Sequence, residues 1–206
     1  MACSFDIENQ LNGPVCGIDE AGRGPLAGPV VAACVYIPES ARKESFWTHV
    51  NDSKKLTARK RGMLYDLIVM HAHYGIAEAS VKEIDDINIL RASLLAMTRS
   101  LEAMVSRFDL VPSVALVDGN SKPELPCQIK TVVKGDSLSL SIAAASILAK
   151  VTRDRIMEDL CRKFPMYGWS RNAGYGTTEH LRAINDHGVT THHRRSFSPV
   201  KRSLTV

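Results

Sequence analysis

The sequence contains no C-x-x-C pair, no G-x-S-x-G and no apolar run approaching the length of a membrane-spanning helix. The five cysteines (Cys3, Cys16, Cys34, Cys127 and Cys161) are odd in number and not closely paired. That argues against a zinc site or a disulfide framework and for reduced thiols. Without G-x-S-x-G there is no nucleophile elbow. Without a long apolar run, no membrane partner is expected. The first residues lack the basic and apolar regions of a signal peptide, so a cytoplasmic protein is expected. Repeats, low-complexity tracts and linkers are also missing. Residues 1–206 therefore read as one domain, with a C-terminal helix and loop segment, about 165–206, packed onto it.

What is present is a chain of 206 residues with 45% hydrophobic content, enough for one substantial core. The net charge of +4 is mild. Its distribution is uneven. Lys54, Lys55, Arg59, Lys60 and Arg61 form one basic cluster, and His192, His193, Arg194, Arg195, Lys201 and Arg202 another. Charge alone does not choose between solvated faces and nucleic-acid contacts.

The chain is organised around residues 15–33. A short apolar run is interrupted by Asp19 and Glu20, followed by a turn with three glycines and two prolines and then a second apolar run. Strand geometry sends neighbouring residues to opposite faces. Both acids are therefore ordinary surface residues only if the strand ends or bulges there. A carboxylate turned toward the interior is costly unless paired or bound to metal.

Five strands are expected, at residues 15–21, 28–37, 74–79, 114–119 and 129–133. Residues 38–56 read as a loop, and a helix is expected over 57–71. Ser80 and Glu83 have the capping-box spacing. The apolar residues from Ile84 to Met104 then recur at threes and fours, so one long helix is expected from there to about residue 108. Its methionines read as core filler. A second long helix spans about 138–164, its first half almost entirely small or apolar. A last helix covers about 178–187, stopped by Gly188. Strands joined by turns come first, and strands alternating with long helices follow. That order describes an α/β fold with a mixed sheet flanked by helices.

Asp19 with Glu20, and Asp118, each follow an apolar strand and precede a glycine-containing turn. Asp136 lies between a strand and a helix. Ligands collect at strand ends in α/β sheets, and converging carboxylates suit a hard divalent cation. Two such ions, about 3.5–4 Å apart, clamp the attacking and leaving oxygens of a phosphodiester. A turn role competes for Asp118 and helix capping for Asp136. Asp154, between Arg153 and Arg155, reads as an exposed ion-pairing residue.

Gly22-Arg23-Gly24 with Ala27 fits the loose dinucleotide fingerprint, but strand-forming residues follow where that motif needs a helix. No organic cofactor is expected. The alternative use of such a loop is close backbone approach to a phosphate or sugar hydroxyl. Tyr175, between two glycines, is easily presented to a base or sugar, although a lone tyrosine is commonly structural. His192-His193 lacks the spacing of a helical metal pair and reads as solvent-exposed or phosphate-contacting.

Residues 17–33 resemble the opening of bacterial type 2 ribonuclease H, the ribonuclease HII family. Further similar segments lie at 51–56, 83–89, 116–120, 133–136, 144–154 and 193–197, covering nearly the whole chain in order. The resemblance implies an RNase H-like fold with a five-stranded sheet, and an endonuclease that cuts the RNA strand of RNA–DNA hybrids. It further implies incision 5′ of a single ribonucleotide in duplex DNA, leaving 5′-phosphate and 3′-hydroxyl ends. The family's metal-binding carboxylates map to Asp19, Glu20, Asp118 and Asp136, with Mg²⁺ or Mn²⁺, two ions per site. Its Gly-Arg-Gly loop, which senses the ribose 2′-hydroxyl, maps to Gly22, Arg23 and Gly24, and its junction tyrosine to Tyr175. Lys54, Arg194 and Arg195 are candidate phosphate contacts, with Lys55, Lys201 and Arg202. Family members often carry His-Lys before that Gly-Tyr, where this sequence has Asn172-Ala173. A monomer is expected.

Overall fold

The computed structural model describes residues 3–204. A one-turn helix α1 (Asp6–Asn9) precedes strands β1 (Val15–Ala21) and β2 (Val30–Tyr36). Helix α2 (Ala58–His71) leads to β3 (His73–Ala79), and helices α3 (Val81–Ile87) and α4 (Ile89–Phe108) follow. Strands β4 (Val114–Asp118) and β5 (Gln128–Val132) precede the 24-residue helix α5 (Leu140–Lys163). The chain ends in α6 (Trp169–Asn172), α7 (Thr178–His187) and α8 (Ser198–Ser203).

The five strands form one sheet in the order β3-β2-β1-β4-β5. β2 is antiparallel to β1 and β3, and β4 is parallel to β1 and β5. This is the mixed sheet expected from the order of turns and crossovers. Alternation assigns the faces. Cys16, Ile18, Ala32, Cys34 and Val117 pack against Ala92, Ala96, Met97, Leu101 and Met104 of α4. Ala33 and Val35 pack on the other face, against α2 and the small-residue run of α5.

Gly17 explains how closely α5 lies on the sheet. A Cβ at this position would run into the Ser141 and Ile142 backbone. The small residues Ala143, Ala144 and Ala145 are all fully buried along that contact. Glu8 fixes the start of the helix, accepting from Ser139 Oγ at 2.6 Å, Ser141 Oγ at 2.7 Å and Ser141 N–H at 3.0 Å.

Two expectations are corrected. The single helix over about 80–108 is two helices, because Asn88 takes a φ of 69° and ends α3. Its side chain then accepts from the Arg91 N–H and caps α4, a local alternative that asparagine offers to the helical backbone. The loop at 38–56 is built from three 3₁₀ turns, Glu39–Lys43, Ser45–His49 and Ser53–Lys55, with Trp47 buried beneath them. The capping box at Ser80 and Glu83 is present.

The C-terminal segment packs a separate apolar cluster, in which Tyr167, Trp169, Ile184 and Val200 meet Leu26, Ala27 and Met157. It therefore leans on the loop between β1 and β2 and on the far end of α5. The segment around Tyr175 is brought beside Gly24 by this packing.

Candidate active site

Parallel pairing sets Ile18 of β1 opposite Val117 of β4. Asp19 and Asp118 are thus the next residues on neighbouring strands. Both follow residues of the α5 face, Gly17 and Leu116, by two positions, so period-2 geometry turns both toward α5. Asp136 sits on the 3₁₀ turn Gly135–Ser137 that feeds α5. Its turn is fastened to β4, because Asp118 Oδ1 accepts from the Gly135 N–H at 2.7 Å. One carboxylate oxygen from each of Asp19, Asp118 and Asp136 lies within 4.8 Å of the others.

Glu20 falls on the opposite face of β1, in register with Ile18. It borders both the cavity beside Asp19 and a smaller pocket beside α4. Its Oε1 meets Arg23 Nη1 at 3.4 Å. The three aspartates therefore gather, and Glu20 stands at their edge, held by the arginine of the adjoining loop.

The electrostatics are those of a site short of positive charge. Burial, followed by the charges of Glu20 and Asp118, pushes the Asp19 carboxyl well above the ordinary range. Burial also raises Glu20, against the pull of Arg23. Asp136 is raised by burial and then by Asp52 and Asp118. Like-charged carboxylates in one buried place favour protonation unless a cation compensates them. An all-oxygen donor set of this kind fits a hard divalent ion.

A cavity of about 310 Å³ opens beside these acids, lined by Asp19, Glu20, Gly22, Arg23, Gly24, Ser53, Lys54, Lys150, Arg153 and Tyr175. Lys54 is exposed at its wall, on a turn capped by Asp52 Oδ1 at 2.9 Å. Tyr175 is 50% exposed. Gly22 has a φ of +102°, and a side chain there would collide with Arg153; only glycine suits both demands. No helix follows the glycine loop, since residues 30–36 are strand. The dinucleotide geometry is therefore not formed. Asp154 pairs with Lys150 at 2.6 Å and with Arg61 at 3.8 Å, the ion-pairing role expected of it.

Arg194 requires correction. It is not a surface phosphate contact: it is fully buried. Its donors end on the carbonyls of Gly22, Arg23, Gly28 and Pro29 at 2.6 to 3.1 Å. His193 is likewise buried, hydrogen-bonded to His180 and Thr190. Arg195 is exposed, and its backbone N–H donates to Asp85.

Sequence reasoning also missed Arg153, which is 1% exposed and lines the cavity wall. A lone arginine in a helix carries no local signal of burial. Asn172 precedes the glycine turn that carries Tyr175. Its side chain accepts from the Gly174 N–H and donates to the Tyr167 carbonyl, both at 2.8 Å, shaping the turn before Tyr175.

The family model and the curated relatives point to one family. The family model of ribonuclease HII matches residues 16–200. A curated ribonuclease HII of Paramagnetospirillum magneticum is 54% identical, over 94% of each chain. That of Wolbachia pipientis subsp. Culex pipiens is 52% identical, over 96% of each. The solved ribonuclease H2 of Pyrococcus horikoshii OT3 superposes with a TM-score of 0.75 at 26% identity, covering 92% of this chain and 96% of that one. A Bst-RNase HIII solved in complex with Mn²⁺ gives a TM-score of 0.77 at 20% identity over 93% of this chain and 69% of that one, a likeness of fold alone. The chain belongs to the ribonuclease HII family, divalent-metal-dependent endonucleases of the ribonuclease H class that act on RNA–DNA hybrids.

Proposed function

We propose that this protein also incises duplex DNA 5′ of a single embedded ribonucleotide, leaving 5′-phosphate and 3′-hydroxyl ends. The observation that carries the reading is that Asp19, one of three converging aspartates, lines the same cavity as the glycine-flanked arginine loop. Asp19, Asp118 and Asp136, with Glu20 at their edge, are the proposed holders of two Mg²⁺ or Mn²⁺ ions. Such ions, when bound, supply an activated water and a charge that stabilises the leaving 3′ oxygen.

The chain's own residues do the recognition. The 2′-hydroxyl distinguishes RNA from DNA at a given position. The backbone of Gly22, Arg23 and Gly24 forms a wall of the cavity and is the proposed sensor of that group. The exposed Tyr175 ring lies next to Gly24 and offers a stacking face at the junction. Lys54 and Arg195 are the proposed phosphate contacts, with affinity that falls as salt rises. The protein is further proposed to act as a cytoplasmic monomer. One catalytic domain would comprise the sheet and the C-terminal segment seated on its β1–β2 loop.

The deciding experiment is a side-by-side digest of an RNA–DNA hybrid and a duplex bearing one ribonucleotide, with and without Mg²⁺ or Mn²⁺. Metal-dependent cuts are expected on both, with the second substrate cut on the 5′ side of the ribonucleotide. A hybrid-only activity would remove the incision reading and leave the endonuclease intact.

A further inference from the structure

Two guanidinium groups, those of Arg153 and Arg194, lie inside the core directly behind the glycine loop, and their hydrogen bonds go to backbone carbonyls. Arg194 donates from Nε to the Gly28 carbonyl at 2.9 Å and from Nη1 to that of Arg23 at 2.9 Å. Its Nη2 reaches Gly22 at 2.6 Å and Pro29 at 3.1 Å. Arg153 donates to Pro29 at 3.1 Å, to Ala27 at 3.0 Å and to Ala173 at 2.9 Å. The first two of these acceptors lie in the loop between β1 and β2. The third lies two residues before Tyr175.

The peptide plane gives this arrangement a consequence. In a trans peptide the carbonyl of one residue and the N–H of the next point in opposite directions. Arg194 draws the Gly22 and Arg23 carbonyls inward, so the Arg23 and Gly24 N–H groups are turned outward. Among the described residues neither N–H meets a protein acceptor, and both residues line the cavity beside Asp19. Buried charges with no carboxylate hydrogen-bonded to them are expensive, and an apolar plug would fill the same space at less cost. Here every cost is met by carbonyls whose orientation aims the loop. The positive charge behind the donors also favours an anionic oxygen in front of them. Lysine cannot replace the device, because only the guanidinium fork serves several carbonyls at once.

We propose that Arg153 and Arg194 are positioning residues for ribose recognition, holding the 22–29 loop so that its backbone donors face the substrate and tying that loop to the Tyr175 turn. The inference rests on the reading of residues 22–24 as a substrate contact. It concerns residues that touch no substrate and act through the backbone they hold.

The test uses full-length Arg194→Lys, Arg153→Lys and Gly22→Ala, with kcat and KM measured on a duplex bearing one ribonucleotide. Mn²⁺ affinity of each free protein, by calorimetry, reports the acid cluster separately. Displacements of about 1 Å at a reacting group cost on the order of 100-fold. The lysine variants are therefore expected to lose roughly 10- to 100-fold in kcat/KM while Mn²⁺ affinity stays within about twofold. Adding Arg194→Lys to Gly22→Ala should cost much less than Arg194→Lys alone, since both displace one loop.

A folded Arg194→Lys protein with unchanged kcat/KM overturns the inference, as does a parallel loss of Mn²⁺ affinity. Unchanged incision by Gly22→Ala, whose added methyl would strike Arg153 at a positive φ, instead defeats the reading of the loop itself. If the lysine variants do not fold, Asp85→Ala decides. Asp85 accepts from the Arg195 N–H at 3.0 Å and the Ser196 N–H at 2.9 Å, holding the Arg194 segment from the surface. A loss of about threefold or more in kcat/KM is expected for it, and none would overturn the inference.

Discussion

Asp118 Oδ1 accepts the Gly135 N–H at 2.7 Å, joining the last residue of β4 to the turn that carries Asp136. One acid thus helps to place another, and the cluster depends on a bond that an asparagine oxygen can also accept. Asp118→Asn keeps that acceptor and removes only charge. Cleavage of an RNA–DNA hybrid is expected to fall on the order of 100-fold or more, with a melting curve close to that of the parent. Initial rates at saturating Mg²⁺ check this; full activity would remove Asp118 from the mechanism.

The same cluster makes the metal-free protein less stable than it need be. The Asp19 carboxyl is raised by burial and by its acidic neighbours. Its ordinary pKa is 3.8, so stability is lost as pH climbs from there through the raised value. At neutral pH, Asp19→Asn without divalent ions should raise Tm by about 2–4 °C, roughly 1 kcal/mol for a chain of this length. Mn²⁺ should raise Tm of the parent and do so far less in the variant. Scanning calorimetry in chelator and in Mn²⁺ provides both numbers, and a destabilised metal-free variant would contradict the argument.

A buried histidine pair predicts acid sensitivity. The Thr190 N–H donates to His193 Nδ1 at 3.0 Å, so the neutral ring carries its proton on Nε2 and donates to His180 Nε2 at 3.1 Å. His180 also accepts from Trp169 Nε1 at 3.0 Å, and its Nδ1 donates to the Tyr175 carbonyl at 2.9 Å. Burial, then His180 and His192, lowers His193 to about 4 from its usual 6.5. The unfolded chain takes up this proton first, so stability is whole above 6.5 and falls as pH drops toward 4. The loss at pH 5 is on the order of 2 kcal/mol. Urea titrations at pH 7.5 and 5 should show it, and His193→Gln should show a smaller difference. Identical pH dependence in the two proteins would rule the pair out.

Gly17 predicts a packing effect far from the acids yet linked to them. An added methyl would strike the backbone of Ser141 and Ile142, which no rotamer change relieves. Overpacking of this kind costs about 1–3 kcal/mol. For Gly17→Ala, that predicts a Tm lower by about 2–12 °C. Because α5 begins beside Asp136, cleavage should fall as well. A thermal melt and a hybrid digest measure the two effects, and an unchanged Tm would mean α5 shifts freely on the sheet.

The five strands were legible because valine-rich runs bounded by glycine and proline impose period 2 locally. Asp19 and Glu20 stood out because they interrupt an apolar run, whereas turn and capping roles competed for Asp118 and Asp136 until the fold brought them beside Asp19. Alternation also carried the separation of Asp19 from Glu20, which the fold displays as two faces of β1. The break at Asn88 was not legible, because the apolar spacing on either side continues the same helical face and only the backbone reversal at one residue divides it.

Arg194 marks the boundary most clearly. In the sequence it belongs to a basic run, and its neighbour Arg195 does lie at the surface. Whether a long cation meets water or a set of backbone carbonyls depends on where distant segments come to rest, here residues 22–29 from the other end of the chain. Composition and periodicity therefore determined the strands, the acids at their ends and the glycine loop. Only the tertiary structure decided which arginines stand behind that loop and which face solvent. Burial of a charge is set by the partners it finds in space, and the local sequence does not name them.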